Sequence, residues 1–467
     1  MVLFSRSPTP GARPNVHASS RRSLLAVLIV AFALRVLALW PASHAQLILD
    51  ERTYTQRAES LLDGEGFVGS YQSWVRHPGS VLAELPQYPG AIQPPGYTVF
   101  VASVMALSGR SLTAVRFAQV VLSTLSVWLV YQLGTCWFGP RSGLAAAWLC
   151  ALHPELIAFS HYFWSETLYV FLLLASVTLL ARGSEPPGRA AAALAGVALG
   201  LAALTRSSLV YFLPALIAWL PLVHRTRWRT ALARGALAAL VALALIAPWS
   251  ARNWAVHGGF VLIDTNGPYN LWRGNADFAF AQRGRAELPH YDWPFESIPV
   301  TPVGEASADV LIDALRKQTG NPSPSDLEVM AYARRVALAS IRDDPSGFIA
   351  RARYKLIDLW NPTSFLVRHL ESNAYGPLPY PLKTSLRFAA FASHLGLMTL
   401  AAHGLLLGWR DPRSWLIVAF TVFLTGISLL AFGLTRFRLP LVPFFCLLGG
   451  RSLIWLADHR RGRCSEA

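Results

Sequence analysis

Charged residues are scarce in this chain of 467 residues. Asp, Glu, Lys and Arg together make up 14% of it, whereas 53% is hydrophobic. Soluble globular proteins carry about 25% charged residues, so the composition excludes an ordinary soluble domain. Several apolar runs approach the roughly 20 residues that cross the hydrocarbon core of a bilayer. The chain is therefore predicted to be an all-α polytopic membrane protein.

Cysteine is also rare, with four residues: Cys136, Cys150, Cys446 and Cys464. Their spacing fits neither a metal site nor a disulfide framework, and small buried apolar side chains are the simpler interpretation. Glycine-rich phosphate loops, zinc motifs and nucleophile elbows do not occur in the sequence.

Acidic residues are nearly absent from the predicted membrane interior, where Glu155 is the one candidate. Ion-coupled transporters usually place ionisable groups near the bilayer midplane, between repeated halves. The sequence shows no internal repeat, so a transporter or a flippase for lipid-linked sugars is the weaker alternative.

Positive charge is abundant and unevenly placed: 41 basic against 26 acidic residues give a net charge of +15. Arg21 and Arg22 precede the first apolar run, which predicts a cytoplasmic N-terminus. Other arginines fall into short loops that the same rule places inside: Arg141; Arg182 and Arg189; Arg225, Arg227, Arg229 and Arg234; Arg410 and Arg413; Arg460, Arg461 and Arg463.

About ten membrane spans are predicted: 24–40, 111–133, 142–159, 167–181, 190–204, 209–223, 231–248, 386–408, 414–432 and 439–457. The first span is interpreted as an uncleaved helix rather than a signal peptide, because Pro41 to Ala45 imitates a cleavage site only weakly. The run from Tyr97 to Leu107 is too short to cross. It is predicted to be interfacial or re-entrant, because a crossing would move every later loop to the opposite side of the membrane.

These spans divide the chain into a disordered cytoplasmic segment (1–21), a membrane module (22–248) with a first outer loop (41–110), an external segment (249–384), C-terminal membrane helices (385–458) and a cytoplasmic tail (459–467). Tyr54, Ala58, Leu61 and Leu62 recur at helical spacing, which predicts a surface helix in the first loop. Amphipathic patterns predict three helices in the external segment: 306–317, 326–341 and 347–360.

Two outer loops present acids. Asp50 and Glu51 follow the first span, and Glu166 lies at the outer end of the fourth. A carboxylate at the membrane surface can act as a general base towards an acceptor hydroxyl. Alternatively, acids at these places stabilise helix N-termini, and Ser165 before Glu166 is a helix-start signal.

Four arginines lie on the predicted outer side, against the positive-inside trend: Arg206, Arg252, Arg436 and Arg438. Arginine suits phosphate recognition because its planar fork makes paired hydrogen bonds. Each could instead snorkel to lipid headgroups, but together they favour an anionic ligand on that face.

In order and placement these motifs resemble the GT-C superfamily of glycosyltransferases that use polyprenyl-phosphate sugars. The resemblance is greatest to family 39, which includes protein O-mannosyltransferases and the bacterial aminoarabinose transferase of lipid A. The matching motifs are Asp50-Glu51 with Tyr54, Pro94-Pro95, His153-Pro154, Ser165-Glu166, Leu204-Thr205-Arg206, Pro248-Trp249-Ser250-Ala251-Arg252-Asn253, Asn266-Gly267, Asn270-Leu271, Gly274-Asn275 and Arg436-Phe437-Arg438-Leu439-Pro440.

The resemblance implies a GT-C fold and an inverting transfer of a sugar from a polyprenyl phosphate to an external acceptor. By position, Asp50 is the base, with Glu51 supporting it, and Glu166 orients the acceptor or a metal. Arg206, Arg252, Arg436 and Arg438 are the candidates for binding the donor phosphate. Further candidates for substrate contact are Tyr54, Gln93, Tyr97 and His161.

One position departs from the resemblance. The aminoarabinose branch has a lysine immediately before the proline pair, as a phosphate contact, and this chain has Gln93. Arg76 or another arginine would have to replace it, or the donor is held differently, so the chain is not assigned to that branch. The large inserted domain of the eukaryotic O-mannosyltransferases is not evident, which favours a bacterial type of enzyme in the inner membrane with an external active site.

The implied partners are a lipid-linked sugar donor, a lipid, glycan or protein acceptor, and the membrane, with no nucleic acid. No cofactor is indicated, although the neighbouring acids would permit a divalent metal ion. A relative that keeps the fold without catalysis is the remaining alternative.

Overall fold

The computed structural model describes residues 16–43, 45–48, 50–77, 88–183, 185–275, 308–371, 373–431, 433–460 and 462. Over these residues the chain is helical, and its extended pairing is limited to an isolated bridge between Val68 and Pro89. The helices up to the external segment are α1 (Val16–Ser43), α2 (Asp50–Leu62), α3 (Gln72–Arg76), α4 (Pro95–Leu107), α5 (Leu112–Phe138), α6 (Pro140–Leu152), α7 (Pro154–Phe159), α8 (Glu166–Ala181), α9 (Arg189–Thr205), α10 (Leu213–Val223) and α11 (Trp228–His257).

The remaining helices are α12 (Asn266–Asn275), α13 (Ala308–Thr319), α14 (Asp326–Asp343), α15 (Pro345–Trp360), α16 (Phe365–Glu371), α17 (Tyr380–Leu407), α18 (Pro412–Leu430) and α19 (Val442–Arg460). Short 3₁₀ turns precede α10, α11 and α19: Ser207–Phe212, Arg225–Arg227 and Thr435–Leu441.

Six helical stretches are long and apolar enough to cross a membrane: Arg21–Ala42, Leu112–Phe138, Arg225–His257, Tyr380–Leu407, Pro412–Leu430 and Thr435–Arg460. Shorter apolar helices, among them α8 and α9, pack between them. The chain is therefore a multi-pass membrane protein, as the composition indicates, and the number of ten spans stays a prediction.

Several predicted boundaries were wrong. The span 142–159 is broken into α6 and α7 at His153, because Pro154 disfavours a helical conformation in the residue before it. Glu155 lies in the first turn of α7, where it is buried and accepts the backbone N–H of Phe365.

The helices that flank the predicted external segment extend into it. Helix α11 continues through Pro248 to His257 and ends at Gly258, whose φ of 70° is the left-handed conformation that favours glycine at helix ends. Helix α17 begins at Tyr380. Residues 16–21, predicted to be disordered, belong to α1, whereas residues 1–15 and 463–467 lie outside the described residues.

The loops predicted to be inner gather at one end of the bundle. Trp137, near the end of α5, donates its indole N–H to the carbonyl of Ala181 at the end of α8, 3.1 Å away. Arg413, in the first turn of α18, donates to the carbonyl of Trp137. Arg141 in α6 makes two hydrogen bonds of 2.9 Å to Asp458 near the end of α19. These contacts give the bundle one shared end that holds most of the predicted inner arginines.

Helices α2 and α4 lie side by side at the opposite end. The rings of Tyr54 and Tyr97 meet edge to face near the start of both helices, with centroids 4.8 Å apart. An ion pair joins Asp63 and Arg110 just beyond the two C-termini. Helix α4 therefore runs alongside α2 over its whole length, and its interfacial or re-entrant placement stays a prediction.

The first loop and the external segment share a hydrophobic core. Its buried members come from both parts of the chain: Tyr71, Trp74, Val75, Ile92, Trp272, Ala308, Leu311, Ile312, Leu315, Val329, Ala333 and Ala337. A hydrogen bond of 2.8 Å from the Ser70 hydroxyl to the Asp326 carboxylate joins the same parts. The helices predicted in the external segment are confirmed as α13, α14 and α15, and α13 and α14 cover the first loop.

A buried lysine ties the external segment to the membrane helices. The ammonium group of Lys355 in α15 donates to the side chain of Asn275, 3.0 Å away, and to the carbonyl of Leu429 at the end of α18. Gly274 lies against Ala431 so closely that no Cβ could fit there. The Gly274-Asn275 motif therefore has a packing role.

Candidate active site

Asp50 and Arg436 form the centre of the candidate site. Asp50 is the first residue of α2, and Arg436 lies in the 3₁₀ turn before α19. Their side chains form an ion pair of 2.8 Å. Burial acts to raise the pKa of Asp50, but Arg436, and then Arg57 and Arg273, hold it below its ordinary value. Asp50 is therefore an ionised carboxylate, with 38% of its side-chain area exposed.

Aromatic rings hold the guanidinium of Arg436. Its carbon lies 4.9 Å from the ring centre of Trp164, and the rings of Phe365 and Phe437 lie within 6 Å. Cation–π contacts of this kind strengthen as water is excluded. These ring contacts, together with the ion pair to Asp50, fix the position of the Arg436 guanidinium.

A second acid–arginine pair lies beside the first. Glu166 begins α8 and is buried, and its carboxylate lies 3.3 Å from the guanidinium of Arg206, which directly follows α9. The ring of Phe437 lies under Arg206 as well as under Arg436. The loops after α1, before α8, after α9 and before α19 therefore converge.

Tyr54 lies between the two pairs. Burial, followed by the charges of Asp50 and Glu166, raises its pKa to about 12, so the phenol stays neutral. A neutral phenol can donate one hydrogen bond to a substrate oxygen and accept another. Its role in substrate contact stays a prediction.

Glu51 points away from Asp50. Its carboxylate oxygens accept the backbone N–H groups of Ile48 and Phe163, each at 3.0 Å, and lie 3.7 Å from the ring of His369. These bonds fix the loop before α2 to the loop before α8. Glu51 therefore fixes the position of the loop that carries Asp50, and its supporting role in catalysis stays a prediction.

Two of the four arginines predicted to bind phosphate already donate hydrogen bonds to backbone carbonyls. Arg438 is fully buried and donates to the carbonyls of Leu359, Asn361 and Thr363. Arg252 donates to the carbonyls of Phe67 and Gly90. Their placement gives both arginines packing roles, because their guanidinium groups already serve as donors within the protein.

The other predicted contact residues are dispersed. The hydroxyl of Tyr97 donates to Gln119 inside the bundle, 2.9 Å away. The Nε2 atom of His161 lies 2.7 Å from the carbonyl of Arg35, within a buried network. Gln93 accepts a hydrogen bond of 2.6 Å from Arg57.

The motifs also meet through close packing. A Cβ on Gly96 would lie 2.8 Å from the carbonyl oxygen of Leu204 and from Oγ1 of Thr205. The glycine after the proline pair therefore lets α4 rest on the end of α9, immediately before Arg206.

Sequence reasoning missed Arg57 and Trp164. Arg57 is seven residues after Asp50, or about 10.5 Å along a helix, and so falls on the same side of α2. Helical spacing could have indicated it. Trp164 contacts Arg436 across the fold, and no local pattern predicts that contact.

The site acids do not fit a resident divalent metal. Among the described residues, no group of three His, Cys, Asp or Glu side chains has the arrangement of a metal site. Asp50 and Glu166 face arginines, and Glu51 is held by backbone N–H groups.

Comparison with known proteins relates the chain to membrane glycosyltransferases. Residues 92–251 match the family model described as dolichyl-phosphate-mannose-protein mannosyltransferase. An undecaprenyl phosphate-alpha-4-amino-4-deoxy-L-arabinose arabinosyl transferase of Pseudomonas aeruginosa is 33% identical over 237 residues. That match covers 50% of this chain and 40% of the relative. A counterpart from Pseudomonas fluorescens is 30% identical over 236 residues, with the same coverage.

Two solved structures show the fold. The archaeal oligosaccharyltransferase AglB from Archaeoglobus fulgidus, in complex with an inhibitory peptide and a dolichol-phosphate, matches with a TM-score of 0.55 at 13% identity. The match covers 97% of this chain and 52% of AglB. The Archaeoglobus fulgidus oligosaccharyltransferase in complex with Zn and sulfate matches with a TM-score of 0.53 at 14% identity, over 94% of this chain and 50% of that one.

The fold is that of a polytopic helical membrane protein, and it is similar to the fold of the solved oligosaccharyltransferases. In sequence the chain is similar to the aminoarabinose transferases, and its match spans about two fifths of the length of those curated relatives. The predicted resemblance is confirmed, and the named relatives give no support to the transporter alternative.

Proposed function

We propose that the protein is an integral-membrane glycosyltransferase that moves a sugar from a polyprenyl-phosphate donor to an acceptor hydroxyl, with inversion at the anomeric carbon. The observation that carries this proposal is the Asp50–Arg436 ion pair beside the Glu166–Arg206 pair. A base and two phosphate-binding cations within one cluster are what such a transfer requires. The relatives, whose names state an undecaprenyl phosphate sugar donor, support the substrate class.

In the proposed reaction, Asp50 takes the proton of the acceptor hydroxyl as its oxygen attacks the anomeric carbon. The bond from that carbon to the phosphate oxygen breaks, and the phosphate leaves with the electron pair. Arg436 and Arg206 stabilise the charge that develops on the leaving group. Glu166 orients Arg206, and Tyr54 contacts the reacting oxygens.

Arg436 would pair with Asp50 before the donor binds and with the donor phosphate afterwards. Without substrate it holds Asp50 ionised. As the phosphate takes up its donors, Arg436 counters the Asp50 charge less, so the pKa of Asp50 rises and the carboxylate becomes a stronger base. Donor binding would in this way activate the base before transfer.

The proposed location is the inner membrane, with the N-terminus inside and the site at the external face. Support comes from the arginine-rich loops, which share the end of the bundle opposite the site, because such loops remain in the cytoplasm. The acceptor would be a lipid, a glycan or a protein outside the cell. Gln93 in place of lysine separates this chain from the aminoarabinose branch that it resembles.

A deletion strain tests the proposal. Loss of the gene should cause a polyprenyl-phosphate sugar to accumulate and one glycan to disappear, as read by mass spectrometry of lipid and glycan extracts. The wild-type gene and Glu59→Gln, which changes an exposed acid on α2, should restore the glycan. Asp50→Asn should express normally and leave the donor accumulated. Full restoration by Asp50→Asn would refute the assignment of the base.

A further inference from the structure

Arg35 is a cation buried within the first membrane helix. It is fully buried and lies about 12 Å before the end of α1 at Ser43. Its Nε atom donates to the Ser123 hydroxyl at 2.7 Å, and its Nη1 atom donates to the carbonyls of Ala31 and Ala151. Its Nη2 atom has no hydrogen-bond partner among the described residues. Because buried donors in native proteins are almost always bonded, this end of the guanidinium indicates a ligand.

The positive charge of Arg35 has no carboxylate partner among the described residues. Arg438, which is equally buried, interacts with the carboxylate of Glu155. For Arg35 the group that interacts favourably with the charge is the thiol of Cys150. Arginine stays protonated in proteins, and a buried charge is costly unless it is paired. The unused donor of Arg35 therefore favours an anion over a neutral ligand.

A small cavity adjoins Arg35, with walls from α1, α5, α6, α7, α8 and the start of α19. Its volume is about 10 Å³, which is the space that roughly one water-sized particle requires. A phosphate, a carboxylate or another polyatomic anion is therefore too large for it. Two hydroxyls in the lining, those of Ser126 and Thr167, already donate to carbonyls within the protein. An anion would therefore lie towards the opposite side, where Arg35 is.

Two further donors accompany Arg35 in the cavity wall. The Ser123 hydroxyl accepts a hydrogen bond from Arg35, so its own proton can be donated to a ligand. The thiols of Cys150 and Cys446 are hydrogen-bonded to each other. When Cys446 is the donor, the proton of Cys150 is left for the cavity, where a thiol acts as a weak donor. A guanidinium, a hydroxyl and a thiol can thus converge on one particle.

We propose that this cavity binds one monatomic anion, chloride, through the Nη2 atom of Arg35, the Ser123 hydroxyl and the Cys150 thiol. The anion supplies the counter-charge of Arg35 and joins α1 to α5 and α6. Leu439, in the same 3₁₀ turn as Arg436, also lines the cavity. The anion therefore stabilises the packing beneath that turn. This site lies inside the helix bundle, and the proposal does not depend on the proposed transfer reaction.

Thermal melting of the purified full-length protein in detergent tests the site. Sodium chloride is titrated against sodium gluconate at constant ionic strength, because gluconate is too large for the cavity. The melting temperature of the wild type should rise with chloride along a saturable curve, as linkage requires for a ligand of the folded state. Arg22→Gln removes an exposed arginine of the same helix and should give the same curve as the wild type. A melting temperature that does not depend on chloride overturns the proposal and leaves a water molecule as the occupant.

Arg35→Gln locates the effect. It removes the charge that attracts the anion, so the chloride-dependent rise in melting temperature should disappear. Binding of radioactive chloride to the immobilised protein gives a direct measurement: the wild type and Arg22→Gln should bind a single ion per chain, which unlabelled chloride displaces, and Arg35→Gln should not. A chloride dependence that persists in Arg35→Gln would place the ion elsewhere and overturn the proposal.

A pair of variants at Cys150 decides the matter if Arg35→Gln does not fold. Cys150→Ala removes one donor and should weaken chloride binding severalfold, whereas Cys150→Ser keeps a donor and should restore it. Equal chloride affinity in both variants would overturn the proposed donor set. If a Cys150 thiolate were the counter-charge of Arg35, the wild type would show no chloride dependence and Cys150→Ala would acquire one. That outcome would also refute the anion site.

Discussion

Arg436 lies 2.8 Å from Asp50, although one residue follows the first membrane helix and the other precedes the last described one. The pair joins the proposed base to a proposed phosphate ligand. Each of the two side chains therefore sets the charge state and the position of the other.

Arg436→Gln should move the acid limb of the activity profile to higher pH. Burial acts to raise the pKa of Asp50, and Arg436 is the main group that lowers it. Without Arg436 the carboxylate takes up a proton at higher pH, so transfer should begin to fail nearer neutrality. Initial rates measured from pH 4 to pH 8 check this shift.

Arg436→Lys is the control for that profile, because it retains the positive charge and should move the limb less. An unchanged acid limb in Arg436→Gln would show that Asp50 is not the titrating base.

Arg438→Ala should destabilise the protein rather than weaken donor binding selectively. Arg438 is fully buried and holds the backbone carbonyl of Leu359, in the last turn of α15, and two carbonyls between α15 and α16. Hydrogen bonds to charged groups contribute about 1.5–3 kcal/mol each, so a loss of several kcal/mol is expected on order of magnitude. Thermal melting in detergent measures it, with the exposed Arg460→Ala as control. Unaltered melting with weaker donor binding would restore Arg438 to the phosphate site.

Gly96→Ala should impair activity through Arg206. A methyl group at Gly96 would press on the carbonyl oxygen of Leu204 and on Thr205, so the end of α9 must shift. Shifts of about 1 Å at a catalytic group can cost around 100-fold in rate. Gly396→Ala, which meets open space in α17, should leave the rate unchanged. Equal rates in both variants would exclude the packing of Gly96 as a determinant of the site.

Asp326→Asn should flatten the pH dependence of stability in the outer unit. Burial raises the pKa of Asp326 from 3.8 to about 6, so the folded state binds its proton more tightly than the unfolded chain does. The free energy of unfolding should therefore fall as pH rises from about 4 to 6, by about 3 kcal/mol in total. The Nδ1 atom of His257 lies 3.5 Å from the Asp326 carboxylate. A protonated His257 would lower the pKa of Asp326 and so reduce this pH dependence.

Hydrogen exchange of α14 measured against pH checks the prediction. Asp326→Asn can still accept the Ser70 hydroxyl, and it should lose the slope while keeping its stability at neutral pH. Asp313→Asn, on the exposed face of α13, should retain the wild-type slope. A slope that persists in Asp326→Asn would assign the titration to another group.

The local architecture could be predicted from the sequence. Apolar run length indicated the membrane helices, and helical spacing indicated the surface helix at Tyr54 and the helices of the external segment. The prediction that Asp50, Glu166, Arg206 and Arg436 lie on the same side of the membrane also grouped residues that the structure brings together. These features depend on composition and on short-range periodicity, which a single sequence contains.

Contacts between distant segments could not be predicted in this way. Arg436 and Arg438 share one motif, yet the 3₁₀ turn directs one guanidinium to Asp50 and the other to the carbonyls before α16. The side chains of Asp50 and Glu51 likewise point in different directions, because the Glu51 carboxylate accepts the backbone N–H of Phe163. Which of two neighbouring side chains enters the site depends on how distant segments pack. The spacing of residues in the sequence contains no information about that packing.

The order of synthesis gives the Asp50–Arg436 pair a further meaning. Asp50 leaves the ribosome soon after the first helix is inserted, and its counter-charge is made nearly 400 residues later. Until then the acid lacks the cation that most lowers its pKa. The candidate site would thus be complete only after the segment that contains Arg436 has been made and has folded against the first loop.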